Sequence, residues 1–105
     1  MVESTLLHDA ILEVLIPGPD YGYSIAQTIK QRTPGLLDAR EGLLYAALYE
    51  LESCGYLVSY ESRTENAKRR HYKLTERGIV RALELRGARS VIAADYMLKP
   101  LHGMG

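Results

Sequence analysis

Gly55 marks a change of period in the chain, and that change restricts the folds open to it. Before it, "EGLLYAALYELESCGYL" (Glu41 to Leu57) sets Leu44, Leu48, Leu51 and Gly55 at i, i+4, i+7 and i+11, the spacing of one helix face. After it, "YLVSYES" (Tyr56 to Ser62) and "RRHYKLT" (Arg69 to Thr75) alternate and are rich in β formers. The polar run "RTENAK" separates them, so the pair reads as a hairpin with a charged tip. Gly55 stops the helix in the usual C-terminal manner, because glycine accepts the left-handed backbone that closes a helix.

The other helices follow from the same periodicity. The first is expected from Ser4 or Thr5, either of which can cap it, to about Ile16, with Leu7, Ile11, Val14 and Leu15 at helical spacing. "PGPDYG" breaks it, and a second helix from about Tyr23 to Arg32 is expected to bury Ile25, Ala26 and Ile29. "TPG" ends that helix, and "LLDAR" leads into the third, about Glu41 to Cys54. Thr75 followed by Glu76 opens a last helix whose apolar positions run nearly to Pro100, with a bend or split expected at Gly87. The resulting class is mainly α with a small β hairpin. Two short helices followed at once by a two-stranded wing make a winged helix-turn-helix, here with a long C-terminal dimerisation helix. Residues 1–75 are expected to form the DNA-binding part and 76–105 the dimerisation helix and a short tail, in a single compact unit.

Three segments carry a family resemblance. "ILEVLIPGPDYGYSI" resembles the first-to-second-helix signature of PadR-type transcriptional regulators, whose members carry "GPxYGYEI"-like text. "EGLLYAALYELESCGYL" is similar to their "GTLYPALxRLExxGLI", and "AKRRHYKLTERG" to their basic wing and the "YxLTxxG" after it. The three occur in order with family spacing between about Leu6 and Gly78. The resemblance implies a regulator, most often a repressor, that occupies double-stranded operator DNA as a two-fold dimer. It also implies that the first and last helices form the dimer, which brings in Leu7 and Ile11. Some members sense phenolic acids or other small molecules, so an effector of unknown identity is an implied partner. Leu43 and Ala46 depart from the family's threonine and proline, and Asn66 from the glycine that often opens the wing's basic run. The absence of tryptophan separates the chain from the multidrug-sensing members.

Read from the residues, the DNA surface has three parts. On the third helix the side opposite the core presents Leu43, Ala46, Tyr49, Glu50 and Ser53, with Tyr45 on a flank. Lacking Arg, Asn and Gln, that face cannot make bidentate contacts to guanine or adenine, and Arg40 at its entrance is the one charged base-reading candidate. Leu43 and Ala46 can pack on thymine methyls. Tyr45 and Tyr49 either bond phosphates or form the amphipathic edge of the core. On the hairpin, Arg63, Lys68, Arg69, Arg70 and Lys73 stand against Glu65 alone, in a chain of net charge +0. Such a cluster can reach phosphates or the minor groove. At the start of the second helix, Ser24 and the free N–H groups can hold a phosphate, and Tyr23 is open between phosphate contact and packing.

The last helix carries Ile79, Leu83, Val91, Ala94, Tyr96, Met97 and Leu98, more apolar surface than one small body covers, which predicts a homodimer. Dimerisation would place two reading helices about one DNA turn apart, on a near-palindromic operator.

Other chemistry has little support. No run approaches the roughly 18 apolar residues of a membrane span, and "MVESTLLHDA" is acidic, unlike a secretory signal. A soluble cytoplasmic protein is expected, without cofactor. His8, His71 and His102 lie on different elements, so no metal site is expected. The single cysteine, Cys54, excludes an internal disulfide and is expected to be buried, with a redox sensor or nucleophile as lesser readings. The competing functional class is a winged-helix protein-interaction module without sequence-specific DNA binding, suggested by Glu41, Glu50 and Glu52 around the third helix.

Overall fold

The computed structural model describes residues 2–35, 40–64 and 67–87. In chain order these form α1 (Val2–Val14), β1 (Asp20–Tyr21), α2 (Gly22–Arg32), α3 (Glu41–Ser53), β2 (Leu57–Thr64) and β3 (Ala67–Leu74), then α4, described over residues 76–87. This is a winged helix-turn-helix. The expected turn at Asn66 and the interface positions Val91, Ala94, Met97 and Leu98 lie outside the described residues, as does any bend of the last helix beyond Gly87.

The apolar stripes converge on one core. Ile11, Leu12 and Leu15 from the α1 end, Ile25 and Ile29 from α2, Leu44 and Leu48 from α3, and Leu57 from β2 are essentially removed from solvent. Burying each is worth about 1.5–3 kcal/mol. Tyr72, Leu74 and Ala82 close the core from β3 and α4. α1 starts earlier than expected, so residues 4 and 5 lie within it rather than at its cap. The helix ends at Val14, ahead of Pro17, whose ring and missing N–H prevent continuation.

The sheet has three strands rather than a hairpin alone. All are antiparallel in the order β1-β3-β2, with Tyr21 opposite His71 and Tyr60 opposite the same His71. β1 is two residues long, too short to leave any periodicity in the sequence. Alternation along β3 turns Tyr72 and Leu74 into the core and Arg69, His71 and Lys73 to the other face.

Two junctions hold wing and helices together. α3 ends in a Schellman turn: Gly55, at φ 84°, donates to Glu52 O at 3.0 Å, and Tyr56 N–H donates to Leu51 O at 2.9 Å. Thr75 caps α4, accepting the Gly78 N–H on Oγ1 at 3.0 Å while its hydroxyl donates to Gly55 O at 2.6 Å. Thr75 N–H also donates to Tyr56 O at 3.1 Å. Gly78 lies so close to this seam that a Cβ would run into the Tyr56 carbonyl oxygen and come within 3.1 Å of its carbon.

Candidate nucleic-acid interface

α3 exposes Leu43, Tyr45, Ala46, Tyr49, Glu50 and Ser53, while Leu44, Ala47, Leu48 and Leu51 are buried. Among its described side chains, the acids Glu50 and Glu52 are turned to its flanks. Glu50 Oε1 meets His8 Nε2 of α1 at 3.0 Å, and Glu52 Oε2 accepts the Ser59 hydroxyl of β2 at 2.9 Å. Leu43, seven residues before Glu50, shares the flank toward α1. Tyr45 occupies the opposite flank, with its phenol over Gly22 at the start of α2: a Cβ there would lie 2.7 Å from Tyr45 Cζ. The middle of the outward face is left to Ala46, Tyr49 and Ser53, with Tyr49 73% exposed. Arg40 is exposed and forms the N-cap of α3, with an extended ψ of 151° and no side-chain cap bond.

The start of α2 departs from expectation. Asp20 Oδ2 accepts the Ser24 hydroxyl at 2.7 Å, and Asp20 Oδ1 accepts the Tyr21 N–H at 2.9 Å. The chain therefore supplies its own anion at that helix N-terminus, and Ser24 is committed to it. Tyr23 is 65% exposed, which rules out packing as a core plug.

The wing cations divide by strand parity. Register sets Arg63 opposite Lys68 and Glu61 opposite Arg70, on the sheet face that carries Tyr72 and Leu74. Arg70 Nη1 donates to Ser59 Oγ at 2.7 Å, so Glu52, Ser59 and Arg70 form a chain from α3 to the wing. Arg69 emerges on the other face with its guanidinium 4.3 Å from the centre of the Tyr21 ring. There Tyr21, His71 and Tyr60 line up across the three strands with 5.7 Å between successive ring centres. Arg63, Lys68 and Lys73 are exposed as well. The Tyr72 phenol is pushed above the usual tyrosine range, chiefly by burial and then by the neighbouring Tyr45, with Glu52 adding to the rise and Arg70 opposing it.

Residues 11–84 match the transcriptional regulator PadR-like family. The chain belongs to that family. Its fold is similar to that of a transcriptional regulator from Clostridium thermocellum, at 31% identity and a TM-score of 0.70 over 93% of this chain and 92% of that one. It is also similar to a PadR family transcription regulator from hypervirulent Clostridium difficile, at 26% identity and a TM-score of 0.72 over 88% and 96% of the two chains. PadR of Bacillus subtilis, solved in complex with operator DNA, shares the fold at 24% identity and a TM-score of 0.66, over 75% of this chain and 45% of that one.

In this PadR-like chain the expected dimer residues separate. Leu7 and Ile11 are 5% and 0% exposed, sealed into their own domain's core, and so are not surface available to a partner. The apolar face of α1 that the sequence shows is the one α2 and α3 already cover. Leu83 is 49% exposed and stands beside the exposed Ile79 and Val80, and on α1 the exposed leucine is Leu6. Cys54 also differs from expectation. It is exposed rather than buried, because α3 has run past the core where it reaches its C-cap. It borders a cleft of about 210 Å³ with the basic His8 and Arg81 and the acidic Asp9 and Glu50, neighbours that linear spacing conceals. No group able to hold a metal ion occurs among the described residues, and none of their helices is long and apolar enough to cross a membrane.

Sequence reasoning passed over Gln27 and Lys30. They stand with Tyr23 at i, i+4 and i+7 on α2 and line a cleft of about 270 Å³ that reaches Tyr45 on α3. The signal was that polar stripe beside Ala26, away from Ile25 and Ile29, which looks like any solvated helix face until α3 is placed beside it.

Proposed function

We propose that this chain is a transcriptional repressor of the PadR type that acts in the cytoplasm and binds a near-palindromic operator as a homodimer. Residues 1–75 serve as the reading head and 76–105 as the dimerisation helix and tail. The carrying observation is the outward face of α3, from which both flanking acids are drawn aside by His8 and Ser59, next to a wing bearing Arg63, Lys68, Arg69 and Arg70. A relative with the same fold was solved with operator DNA. α3 enters the major groove, Leu43 and Ala46 meet thymine methyls, and the wing cations neutralise phosphates. The exposed stripe of Ile79, Val80 and Leu83 supports association of two copies through α4. A small-molecule effector would relieve repression only by binding one arrangement of the two heads more tightly than the other.

An electrophoretic shift with DNA from the promoter of the protein's own gene, at two salt concentrations, tests the reading. Specific, salt-sensitive retardation is expected. No retardation even at low salt would leave a winged-helix interaction module instead. Sedimentation showing only particles of the 11.8 kDa chain mass at micromolar concentration would refute the dimer.

A further inference from the structure

The cleft between α2 and α3 differs in composition from three other clefts among the described residues. Its walls carry one ammonium (Lys30), one carboxamide (Gln27) and two phenols (Tyr23 and Tyr45), over a floor of Ala26 and Leu44. No acid lines it. Three other surface clefts each have at least one: Asp9 and Glu50 beside α1, Asp20 beside the Pro17–Pro19 turn, and Glu84 on α4. A space with donors, a cation and no carboxylate suits an anion that also has an apolar side, as a phosphodiester with its sugar does. Asp20 occupies the N-terminal end of α2, so a phosphate approaching this helix is favoured toward the Lys30 end and disfavoured at the start.

We infer that this cleft seats a backbone phosphate of the bound DNA, with Lys30 and Gln27 as donors and the Tyr45 phenol as the wall shared with the reading helix. The inference rests on the DNA-binding reading above and deepens it. α3 carries no cation or carboxamide on its outward face, so the contact that fixes its depth and register in the groove comes from the neighbouring helix. Tyr23, Gln27 and Lys30 span about 10 Å along α2 at the usual helical rise, enough to follow the strand past one phosphate. The α2 cleft and the wing then grip α3 along one flank, the cleft at its Tyr45 end and the wing at its Glu52 end.

The test uses the full chain and a duplex selected by it from a random pool, with affinity measured between 50 and 200 mM salt. Lys30→Ala is expected to lower the salt slope by about 1.8, about 0.9 for each half-site, so that over this range it loses about 12-fold less affinity than the parent. Arg32→Ala removes the same charge from the side of α2 facing the Pro17–Pro19 turn and is expected to leave the slope unchanged. Gln27→Ala is expected to weaken binding several-fold without changing the slope, since the amide is neutral. A scan of neutral methylphosphonate substitutions should find one phosphate per half-site whose replacement weakens the parent several-fold and Lys30→Ala not at all. Equal slope changes for Lys30→Ala and Arg32→Ala would reduce the effect to general charge and overturn the seat. Parental binding with no such phosphate position would overturn it too, while leaving the DNA-binding reading intact. Failure of the parent to bind any duplex would remove both.

Discussion

Replacing Gly78 with alanine places one methyl group against the seam that joins α4 to the start of the wing. The obstacle is backbone, the Tyr56 carbonyl, and that carbonyl is fixed because it accepts the Thr75 N–H at 3.1 Å. Leu74 Cδ2 stands 3.2 Å away on another side and leaves little room to slide. Overpacking of this kind costs about 1–3 kcal/mol, and the upper part of that range applies where no side chain can rotate away. Alanine's better helix propensity returns about 1 kcal/mol. The net expectation is a loss of about 2 kcal/mol, which moves a urea midpoint down by about 1 M at the slopes usual for small domains. Gly42→Ala is the internal control. It also lies in a helix, meets nothing within 4 Å, and should be neutral or stabilise by up to about 1 kcal/mol. Urea unfolding of both variants separates propensity from sterics, and it is done at one protomer concentration because the proposed dimerisation would make the midpoint depend on concentration. If Gly78→Ala unfolds at or above the parent's midpoint while Gly42→Ala behaves as stated, the close approach does not exist.

Gly22→Ala meets the movable Tyr45 phenol rather than backbone, so it should cost under about 1 kcal/mol in stability yet weaken operator binding several-fold in a gel shift; unchanged binding would show that the Tyr45 position is irrelevant to DNA. The raised Tyr72 pKa makes the folded state lose stability as pH climbs above 10.0, because the unfolded phenol ionises first. Tyr72→Phe should flatten that alkaline loss in thermal melts from pH 9 to 11, and an identical alkaline slope would contradict the assignment. Glu52→Gln removes the carboxylate at the head of the Ser59–Arg70 chain, so it should tighten DNA binding several-fold at low salt by releasing Arg70 to phosphate. Weaker binding would mean instead that Glu52 serves to position the wing.

What was legible in the sequence was whatever repeats over two turns or four strand residues. The stripes of α1, α2 and α3 and the Tyr72/Leu74 face of the hairpin appear in the structure where periodicity puts them, and Thr75 caps α4 as its residue type suggests. Features that depend on two distant elements meeting were hidden. β1 has no period of its own and exists because Asp20 and Tyr21 reach the free edge of β3. Leu7 and Ile11 read equally well as a dimer face and as core, and only the placement of α2 and α3 decides for core. Ser24 looks free until Asp20 folds back onto it, and Cys54 looks buried until the helix ends beyond the core. Gln27 and Lys30 gain their meaning from Tyr45, which is distant in sequence.

Tyr21 belongs at once to the sheet and to the helix-turn-helix, as the last residue of β1 and the N-cap of α2, with no linker between them. Arg69 of the wing rests on its ring. The joint therefore has no slack, and a tilt of β3 must carry the start of α2 with it. Wing and helices are thereby coupled within one chain. In the proposed dimer the adjustable dimension is then the gap between the two heads, so altered half-site spacing should be punished more severely than altered sequence beneath either wing.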